Sequence, residues 1–432
     1  MSTTEEKKVG LGERIDHIRS KYDDKRYAEL LAQWDYKQHD VHDETIRKKN
    51  KVLVEEVDEA GKKRSRYEER EVNRISTSLE RIIVNTHTSF AVGVDPDLQA
   101  EPKTDAQRHM LELIRETEKR NKIRNVNRRV VRSVLSETMV AEYWWSVEDE
   151  EFYYGKDYAG RAKTRLRCEV WSPFRGDKLV PVLNTLGDLE RFYRFYSVKD
   201  DSGRLIDRLM EIDKANVTTY EKGSDGWVIL RSAPHGFGKI PVIYMQIKEA
   251  LCECIQSKRK RIEELQSNKA DCTNENFFPK VVVRGQMTGL QATGRTQVLQ
   301  MSGDADVRYL TWDQSTAAAE SELERLIDEC FSMTMTPRIS PKDLQGLGGA
   351  LSGVAFKYVF MGAHIAVRDH EEFIGEYLAR RYSFLKHAIA LQVPSVSEGR
   401  GLSLDPVLVP FTIEESTGTS SKDDKPDQGQ VD

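Results

Sequence analysis

The chain has 432 residues, of which 32% are charged and 38% hydrophobic, and its formal net charge is −5. This length allows two to four domains, and a charged content above the globular average of about 25% favours a molecule with a large surface. The negative balance argues against a protein that coats nucleic acid, because such proteins are basic overall. It leaves open a role in which DNA is transported past the protein.

The sequence also argues against a membrane protein, a zinc-binding protein and a disulfide-linked secreted protein. No stretch reaches the roughly 18–20 apolar residues of a membrane-spanning helix, and the N-terminus lacks the apolar segment of a signal peptide. The five cysteines have neither zinc-type spacing nor an even count. We therefore expect a soluble protein with reduced thiols, no metal and no cofactor.

The first 138 residues are predicted to be mainly helical. Residues 1–71 are charge-rich, with a solvated stretch at 48–71, and residues 73–96 are apolar enough to be buried. Residues 104–138 place their apolar side chains at helical spacing. Among these apolar residues lie Arg124, Arg128, Arg129 and Arg132. Either they hold phosphate or an acidic neighbour, or they form a solvated or salt-bridged helix face.

Residues 139–246 are predicted to form a β-rich domain. Short aromatic or β-branched runs are bounded by Gly, Asp, Ser and Pro. The runs are VAEYWWSV, TRLRCEVWSP, LVPVLNT, LERFYRFYSV and DGWVILRSA. The domain ends in HGFGKIPVIYM, residues His235–Met245, where two glycines and a proline predict a tight turn before a strand. The GFGK tetrapeptide lacks the spacing of a phosphate-binding Walker loop.

Two polar helices are predicted around a small strand-rich insert. The helices cover residues 247–275 and 314–336, with Ser315 as an N-cap of the second, and the insert covers residues 276–313. Because both helices are unusually polar for a single core, we expect each to pack against copies of itself.

The C-terminal part begins with a Pro/Gly-rich loop at residues 337–349. It leads into residues 350–391, which contain no proline and predict one helix of about 60 Å. Residues 392–414 form a further C-terminal segment. Residues 415–432 are polar and are predicted to be disordered.

The order of these parts resembles the SPP1 Gp6-like portal proteins of tailed siphophages, over roughly residues 73–413. The most specific matches are HGFGKIPV, His235–Val242, and LSGVAFKY, Leu351–Tyr358. The resemblance implies an α+β, elongated portal fold with a β-rich wing, a helical stem, a small α/β clip and a long tunnel helix. In these terms the parts would be the helical wing 1–138, the β wing 139–246, the stem helices 247–275 and 314–336, the clip 276–313, the tunnel loop 337–349, the tunnel helix 350–391 and a reduced or absent crown at 392–414.

The function implied by the resemblance is that of a head-tail connector. Such a protein forms a ring, usually of about twelve subunits, at one capsid vertex, through which double-stranded DNA is packaged by terminase and later ejected. The implied partners are further copies, DNA of any sequence, terminase, a scaffold or major capsid protein and a head-completion adaptor, with no membrane. The implied locations are the virion and, during assembly, the host cytoplasm.

The candidate site residues follow from this arrangement, because a ring multiplies each charge and a loop near moving DNA must change shape. The DNA-tunnel candidates are Arg338, Lys342, Gln345, Gly346, Gly348, Gly349 and Lys357. The glycines could instead merely cap and connect, and Lys357 could be a stem buried against a neighbour. The clip candidates for partner contacts are Arg284, Arg295 and Arg308, against the alternative of a solvated face.

Two other classes remain open at this point. An enzyme is disfavoured because the sequence has no Walker loop, no H-E-x-x-H motif and no triad-like signature, so no catalytic residue is predicted. The other alternative is a ring-forming or capsid-associated structural protein of a phage without a DNA channel. An open axial hole would distinguish the portal from it.

Overall fold

The computed structural model describes residues 10–57, 63–148, 164–276, 280–284, 287–293, 296–301, 306–310, 316–338 and 360–409. The chain divides into two compact units. Unit 1 contains Met1–Tyr27, Ile82–Leu251 and Met335–Asp432, and unit 2 contains Ala28–Arg81 and Cys252–Thr334. The sequence scheme placed all of residues 1–138 in the wing, whereas Ala28–Arg81 clusters with the predicted stem and clip.

The described elements confirm the α+β class. The helices are α1 (Leu11–Arg19), α2 (Asp24–Trp34), α3 (Leu79–Val92), α4 (Asp105–Asn121), α5 (Ile123–Glu137), α6 (Gln256–Asn276), α7 (Thr316–Met333) and α8 (Met361–Gln392). The strands up to the middle of the chain are β1 (Asn50–Val57), β2 (Lys63–Arg70), β3 (Asp97–Ala100), β4 (Met139–Glu148), β5 (Thr164–Trp171), β6 (Lys178–Leu183), β7 (Leu189–Lys199) and β8 (Leu205–Ile212). The later strands are β9 (Asn216–Gly223), β10 (Gly226–Pro234), β11 (Val242–Gln246), β12 (Lys280–Arg284), β13 (Met287–Thr293), β14 (Thr296–Met301), β15 (Asp306–Leu310) and β16 (Leu404–Val407).

Unit 1 contains a five-stranded antiparallel sheet in the order β10-β9-β8-β7-β6 and a three-stranded sheet in the order β11-β4-β5. One face of the larger sheet packs against α1, where Ile15 and Ile18 meet Phe195 and Leu209. Its other face packs against the smaller sheet in a second core. Successive side chains of a strand point to opposite faces of the sheet. Because the larger sheet is covered on both faces, apolar side chains on both faces are buried.

The predicted strand runs of this region are confirmed as β4, β5, β6, β7 and β10. Strands β8 and β9 were not predicted. Their sequences, LIDRLMEI and NVTTYEKG, have charged residues at the positions that face solvent or ion-pair with a neighbouring strand. For example, Arg208 of β8 pairs with Glu221 of β9 at 2.9 Å, so two charges satisfy each other across the sheet.

The apolar helical stretch at 104–138 forms two helices because Lys122 adopts a left-handed backbone conformation with φ 50°. Its amide donates to the carbonyls of Glu118 and Lys119 and so ends α4. Thr104 caps the start of α4 by accepting a hydrogen bond from the Gln107 amide at 3.2 Å.

Helix α8 is the longest described helix, with 32 residues. It confirms the described part of the predicted long helix, and residues 350–359 lie outside the described residues. Its buried side chains recur along its whole length and include Ile374, Leu378, Leu385 and Ile389. They pack against α4, β11 and β16 of the same unit.

Unit 2 contains the paired helices α6 and α7 and several two-stranded sheets. The pairs are β1 with β2, β12 with β15, and β13 with β14. The helical expectation for residues 50–70 was wrong, because β1 and β2 form an antiparallel hairpin from Asn50↔Arg70 to Val57↔Lys63. The sequence interpretation gave more weight to the charged residues of this stretch than to its β-branched and aromatic residues, which favour strands. In the predicted clip, β13 and β14 pair with each other, and they lie in sequence between the paired strands β12 and β15.

Candidate functional site

The predicted tunnel residues lie almost entirely beyond the described part of the chain. Arg338 is described and has an exposed side chain. The candidates Lys342, Gln345, Gly346, Gly348, Gly349 and Lys357 fall outside the described residues.

The two chain segments that flank residues 339–359 meet at the start of α8. Met335 has a left-handed backbone with φ 51°, and its carbonyl oxygen lies 3.4 Å from where a Cβ on Gly362 would be. A Cβ at that distance would make an ordinary van der Waals contact, so the two segments pack closely here. The two segments that flank residues 339–359 therefore lie close together.

A chain of hydrogen bonds between buried side chains fixes this meeting point. His87 Nε2 lies 3.0 Å from Thr336 Oγ1, and His87 Nδ1 lies 3.1 Å from Nε2 of His370. Burial lowers the pKa of His370 to about 4, so this imidazole is neutral at physiological pH. Helix α3, helix α8 and the segment that precedes residue 339 are thus joined by a chain of side-chain hydrogen bonds.

Aromatic contacts join the same elements beside this bond chain. The Phe90 ring lies 5.5 Å from that of Phe360 and makes an edge contact with His364 at 5.8 Å. Phe90 belongs to α3, while the other two residues open α8. Apolar packing and hydrogen bonding therefore act together at the start of α8.

Further along, α8 is anchored by a buried ionic cluster. The carboxylate of Glu142 on β4 accepts from Nε and Nη2 of Arg381 at 2.9 and 2.6 Å, and from Trp144 Nε1 at 2.5 Å. Tyr377 also donates to Glu142, and Arg381 Nη1 donates to Asn127 Oδ1 at 2.6 Å. Both charged side chains are 0% exposed. A buried charge of this kind is tolerated because every polar atom finds a partner.

The sequence interpretation did not select this cluster. The sequence feature that could have indicated the cluster is Glu142, a single carboxylate inside the apolar run VAEYWW, at a position where the strand pattern places buried side chains. Arg381 lies on the buried face of α8 among apolar residues. Two charged residues of opposite sign at positions expected to be buried, one on a strand and one on a helix, could have suggested the pairing, although not its geometry.

The HGFGKIPV motif forms the turn that seats the β-rich region on α8. Gly236 and Gly238 have φ values of 78° and 65°, which favour glycine. Between them Phe237 is buried, with its ring in a T-shaped contact with Phe384 at 5.3 Å. The Phe237 carbonyl lies 2.7 Å from Nε2 of His387 on α8. The predicted turn and strand are confirmed, and the motif is a structural joint.

Unit 2 contains a second buried network around α6. Arg259 donates to Glu263 at 2.8 Å and pairs with Glu80 at 3.2 Å. The other oxygen of Glu263 lies 2.6 Å from His39 Nδ1 and accepts from the Thr77 amide at 2.8 Å. Burial alone would raise the pKa of Glu263, but these bonds and the Arg259 charge outweigh it and lower the pKa. The network holds the segment around residues 39–80 on α6.

Ion pairs also connect α6 with α7. Lys269 lies 2.6 Å from Glu320, Arg261 lies 3.0 Å from Glu322, and Lys258 pairs with Glu329. Ile262 of α6 and Leu326 and Cys330 of α7 are also buried. The polar character of the two helices is thus satisfied at least partly by pairing with each other. Packing of each helix against further copies remains an expectation.

The arginines of α5 have a structural explanation. Arg124 and Arg128 donate to the carbonyl of Gly93, which follows the end of α3, at 2.7 and 3.5 Å. Arg132 donates to Asn85 Oδ1 at 2.9 Å. Cations at a helix C-terminus offset the partial negative charge of the helix dipole. The contacts favour the structural interpretation, in which these side chains serve a helix face, over phosphate binding, although their partners here are the Gly93 carbonyl and Asn85.

Of the clip candidates, Arg284 and Arg308 lie on paired strands. In the β12–β15 register Arg284 is opposite Asp306 and Arg308 is opposite Val282. Arg295 lies outside the described residues. Within the described ranges no group of three or more His, Cys, Asp or Glu side chains is placed to hold a metal. No described helix is long and apolar enough to cross a membrane.

Comparison with known proteins assigns the family. The phage portal protein family, SPP1 Gp6-like, matches residues 13–390, which is most of the chain. The chain therefore belongs to this family, as the HGFGKIPV and LSGVAFKY motifs indicated. It is a phage portal protein, and it belongs to the virion.

Solved structures and curated proteins were also compared. The chain is similar to a component of the neck of an empty GTA particle computed with C6 symmetry, with 10% identity, a TM-score of 0.42 and coverage of 76% of this chain and 79% of the other. It is also similar to a chain from the virion of a native gene transfer agent particle, with 11% identity, a TM-score of 0.36 and coverage of 76% and 78%. No curated protein matches.

Proposed function

We propose that the chain assembles into a closed ring, of about twelve copies, that serves as a passive conduit for double-stranded DNA at one capsid vertex. The supporting observation is the family match over residues 13–390. In this role the protein performs no catalysis of its own. A separate terminase supplies the energy of packaging, and the DNA is contacted without regard to sequence.

The proposed contact with DNA is made by the segment between residues 339 and 359. Its flanking residues meet at one place, through Gly362 and the Met335 carbonyl, so both ends of the segment are anchored in the same part of unit 1. Lys342 and Gln345 are the proposed contact residues. Contacts with a translocating polyanion must be weak, because every phosphate neutralised by a fixed cation adds salt-dependent affinity.

The proposed wing, stem and clip follow the same assignment. The α6–α7 pair would be the stem, and the hairpins of β12–β15 and β13–β14 would be the clip that meets terminase and later an adaptor protein. Arg284, Arg295 and Arg308 are proposed as clip contacts. Ala28–Arg81 would belong to the stem region, because it shares unit 2 with it.

DNA filling tests this proposal directly. Phage particles are assembled with a portal that carries Gly348→Pro and Gly349→Pro, and nuclease-protected DNA per capsid is measured. We expect rings of normal size and a loss of packaged DNA, because proline fixes φ where the loop must change shape. A matched variant, Gly429→Pro, lies beyond the family match and should package normally. Normal filling by the double variant would contradict the mobile-loop role.

A further inference from the structure

Two buried carboxylates hold a short connection between the two larger sheets of unit 1. Residues 172–177 lead from β5 in the three-stranded sheet to β6 in the five-stranded sheet. The Glu137 carboxylate accepts from the Phe174 amide at 2.6 Å, and the Asp177 carboxylate accepts from the Ser172 amide at 3.1 Å. Both acidic residues are 4% exposed. The connection is therefore fixed by acidic side chains that are shielded from water.

Among the described residues, one cation is bonded to this pair of carboxylates. Arg194 on β7 donates to Asp177 at 2.7 Å, whereas none of the cations in the described ranges forms an ion pair with Glu137. The cations closest to the connection in sequence bond elsewhere, Arg175 to a carbonyl of β5 and Lys178 to a carboxylate of α2. An ionised Glu137 therefore adds a negative charge to the interior without a cation to balance it.

The other surroundings of Glu137 also favour its neutral form. It is the last residue of α5, where the helix dipole is negative. The titratable groups that interact with it are Asp177 and the phenols of Tyr22 and Tyr27, and none of these is a cation. Burial raises the pKa of Glu137 to about 7, with the Asp177 charge acting in the same direction and the Phe174 amide opposing it. This carboxyl thus exchanges its proton close to neutral pH.

We propose that residues 172–177 form a proton-controlled joint between the two sheets, with Glu137 as the group that takes up the proton. With the proton bound, the interior holds one balanced pair, Asp177 with Arg194, and the joint stays closed. Loss of the proton leaves two carboxylates beside one guanidinium. The joint then opens more often, because opening returns the Glu137 charge to water. The inference concerns unit 1 alone and depends neither on the ring nor on DNA.

The direction of the pH dependence follows from the pKa of Glu137 in the closed and open joint. The closed joint holds the proton more tightly than an exposed carboxyl, whose ordinary pKa is 4.5. The stability that Glu137 contributes is therefore fully present below about pH 4.5, is lost as the pH rises, and stays lost above about pH 7. Opening of the joint should accordingly increase about tenfold between about pH 6 and about pH 8.

Hydrogen exchange of the full-length protein tests the joint, read by mass spectrometry on peptides from residues 164–183 and corrected for the intrinsic pH dependence of amide exchange. In the parent chain, protection should fall about tenfold from about pH 6 to about pH 8 and level off above about pH 7. Glu137→Gln imitates the neutral carboxyl, so it should keep full protection at the higher pH and abolish the pH dependence. The matched control, Glu190→Gln, replaces an exposed carboxylate on β7 and should keep the parent profile.

Asp177→Asn gives a second test that a merely structural role would not pass. It removes the negative charge beside Glu137 and frees the Arg194 guanidinium, so the pKa of Glu137 falls. The pH at which protection levels off should therefore drop below that of the parent. If Asp177 serves only as a structural acceptor, protection falls equally at every pH and the levelling point does not move.

Three results would overturn the proposal. They are a parent profile without pH dependence, an unchanged profile in Glu137→Gln, and an unmoved levelling point in Asp177→Asn. The parent profile and the Asp177 variant decide the question even if Glu137→Gln does not fold.

Discussion

Helices α8 and α6 are both held by a buried arginine–glutamate network, but the surroundings differ. Arg381 and Glu142 lie within an extensive apolar interface along α8. On α6 the buried described residues are Arg259, Ile262, Glu263 and Ser267, most of them polar. The position of α8 is therefore determined by apolar packing with one ionic cluster, whereas that of α6 depends chiefly on polar bonds.

We expect this difference to have a functional consequence in the proposed portal arrangement. The proposed tunnel loop is attached to α8, where a rigid base would confine motion to the loop. The proposed stem is built on α6 and α7, where polar contacts respond more strongly to salt and pH. Four predictions, from the largest expected effect to the smallest, test this contrast.

The largest effect is expected for Arg381→Met. The substitution leaves Glu142 buried without its cation, which costs about 3–5 kcal/mol. Urea unfolding followed by tryptophan fluorescence measures the loss of unfolding free energy. The control is Arg380→Met, since the neighbouring Arg380 is exposed and pairs with Glu376. Equal costs for the two variants would show that the cluster does not anchor α8.

The second effect concerns the buried histidine at the base of the loop. Its pKa is about 4 in the folded chain against an ordinary value of 6.5. Because the folded chain holds this imidazole neutral, it contributes stability that is fully present above about pH 6.5 and is lost as the pH falls toward 4. Protonation of His370 lowers the free energy of unfolding of the parent chain between neutral pH and pH 5, and His370→Asn should make that loss smaller by about 2 kcal/mol.

Urea unfolding at both pH values measures this difference, and comparison with the parent chain cancels the other titrating groups. One of these is Glu137, whose pKa burial raises to about 7, so it acts in the opposite direction. His17→Asn is the matched control, because His17 is exposed in the same unit. An identical pH profile for the His370 variant and the parent would contradict the neutral-histidine joint.

The third effect is on the polar network of α6. Glu263→Gln should cost about 1.5 kcal/mol, because bonds from His39 and Arg259 to a carboxylate are replaced by weaker ones. The lowered pKa of Glu263 means that its contribution is present at neutral pH and lost as the pH falls through its folded pKa, below the ordinary 4.5. Hydrogen exchange of α6 measures the local change, with the exposed neighbour Glu264→Gln as control. Unchanged α6 protection would contradict the network's role.

The smallest effect is expected at the α6–α7 surface. Lys269→Met removes one exposed ion pair with Glu320 and should cost less than about 1 kcal/mol. The difference should shrink further at high salt. Hydrogen exchange at two salt concentrations measures it. A cost as large as that of Arg381→Met would mean that surface pairs, and not buried ones, determine the stem.

The sequence predicted the α+β class, the strand runs of the β-rich region and the turn at His235–Met245. These succeed because local alternation and left-handed glycines act over a few residues. The Glu142–Arg381 cluster could not be predicted in the same way. Its partners lie 239 residues apart, and their pairing depends on how β4 and α8 pack.

The errors have physical causes as well. Residues 50–70 are a hairpin because Val52 and its neighbours pair across strands, although the charge content favoured helix. The tunnel candidates were selected from composition and family resemblance. Among them Arg338 lies in the described part of the chain, so the roles of the rest remain predictions.

The most direct test of the portal assignment is native mass spectrometry of the purified protein, followed on the same sample by end-on electron microscopy. We predict a closed ring of about 600 kDa, near twelve chains of 49.6 kDa, with a central hole. A compact oligomer without a hole would contradict it and favour another capsid-associated role.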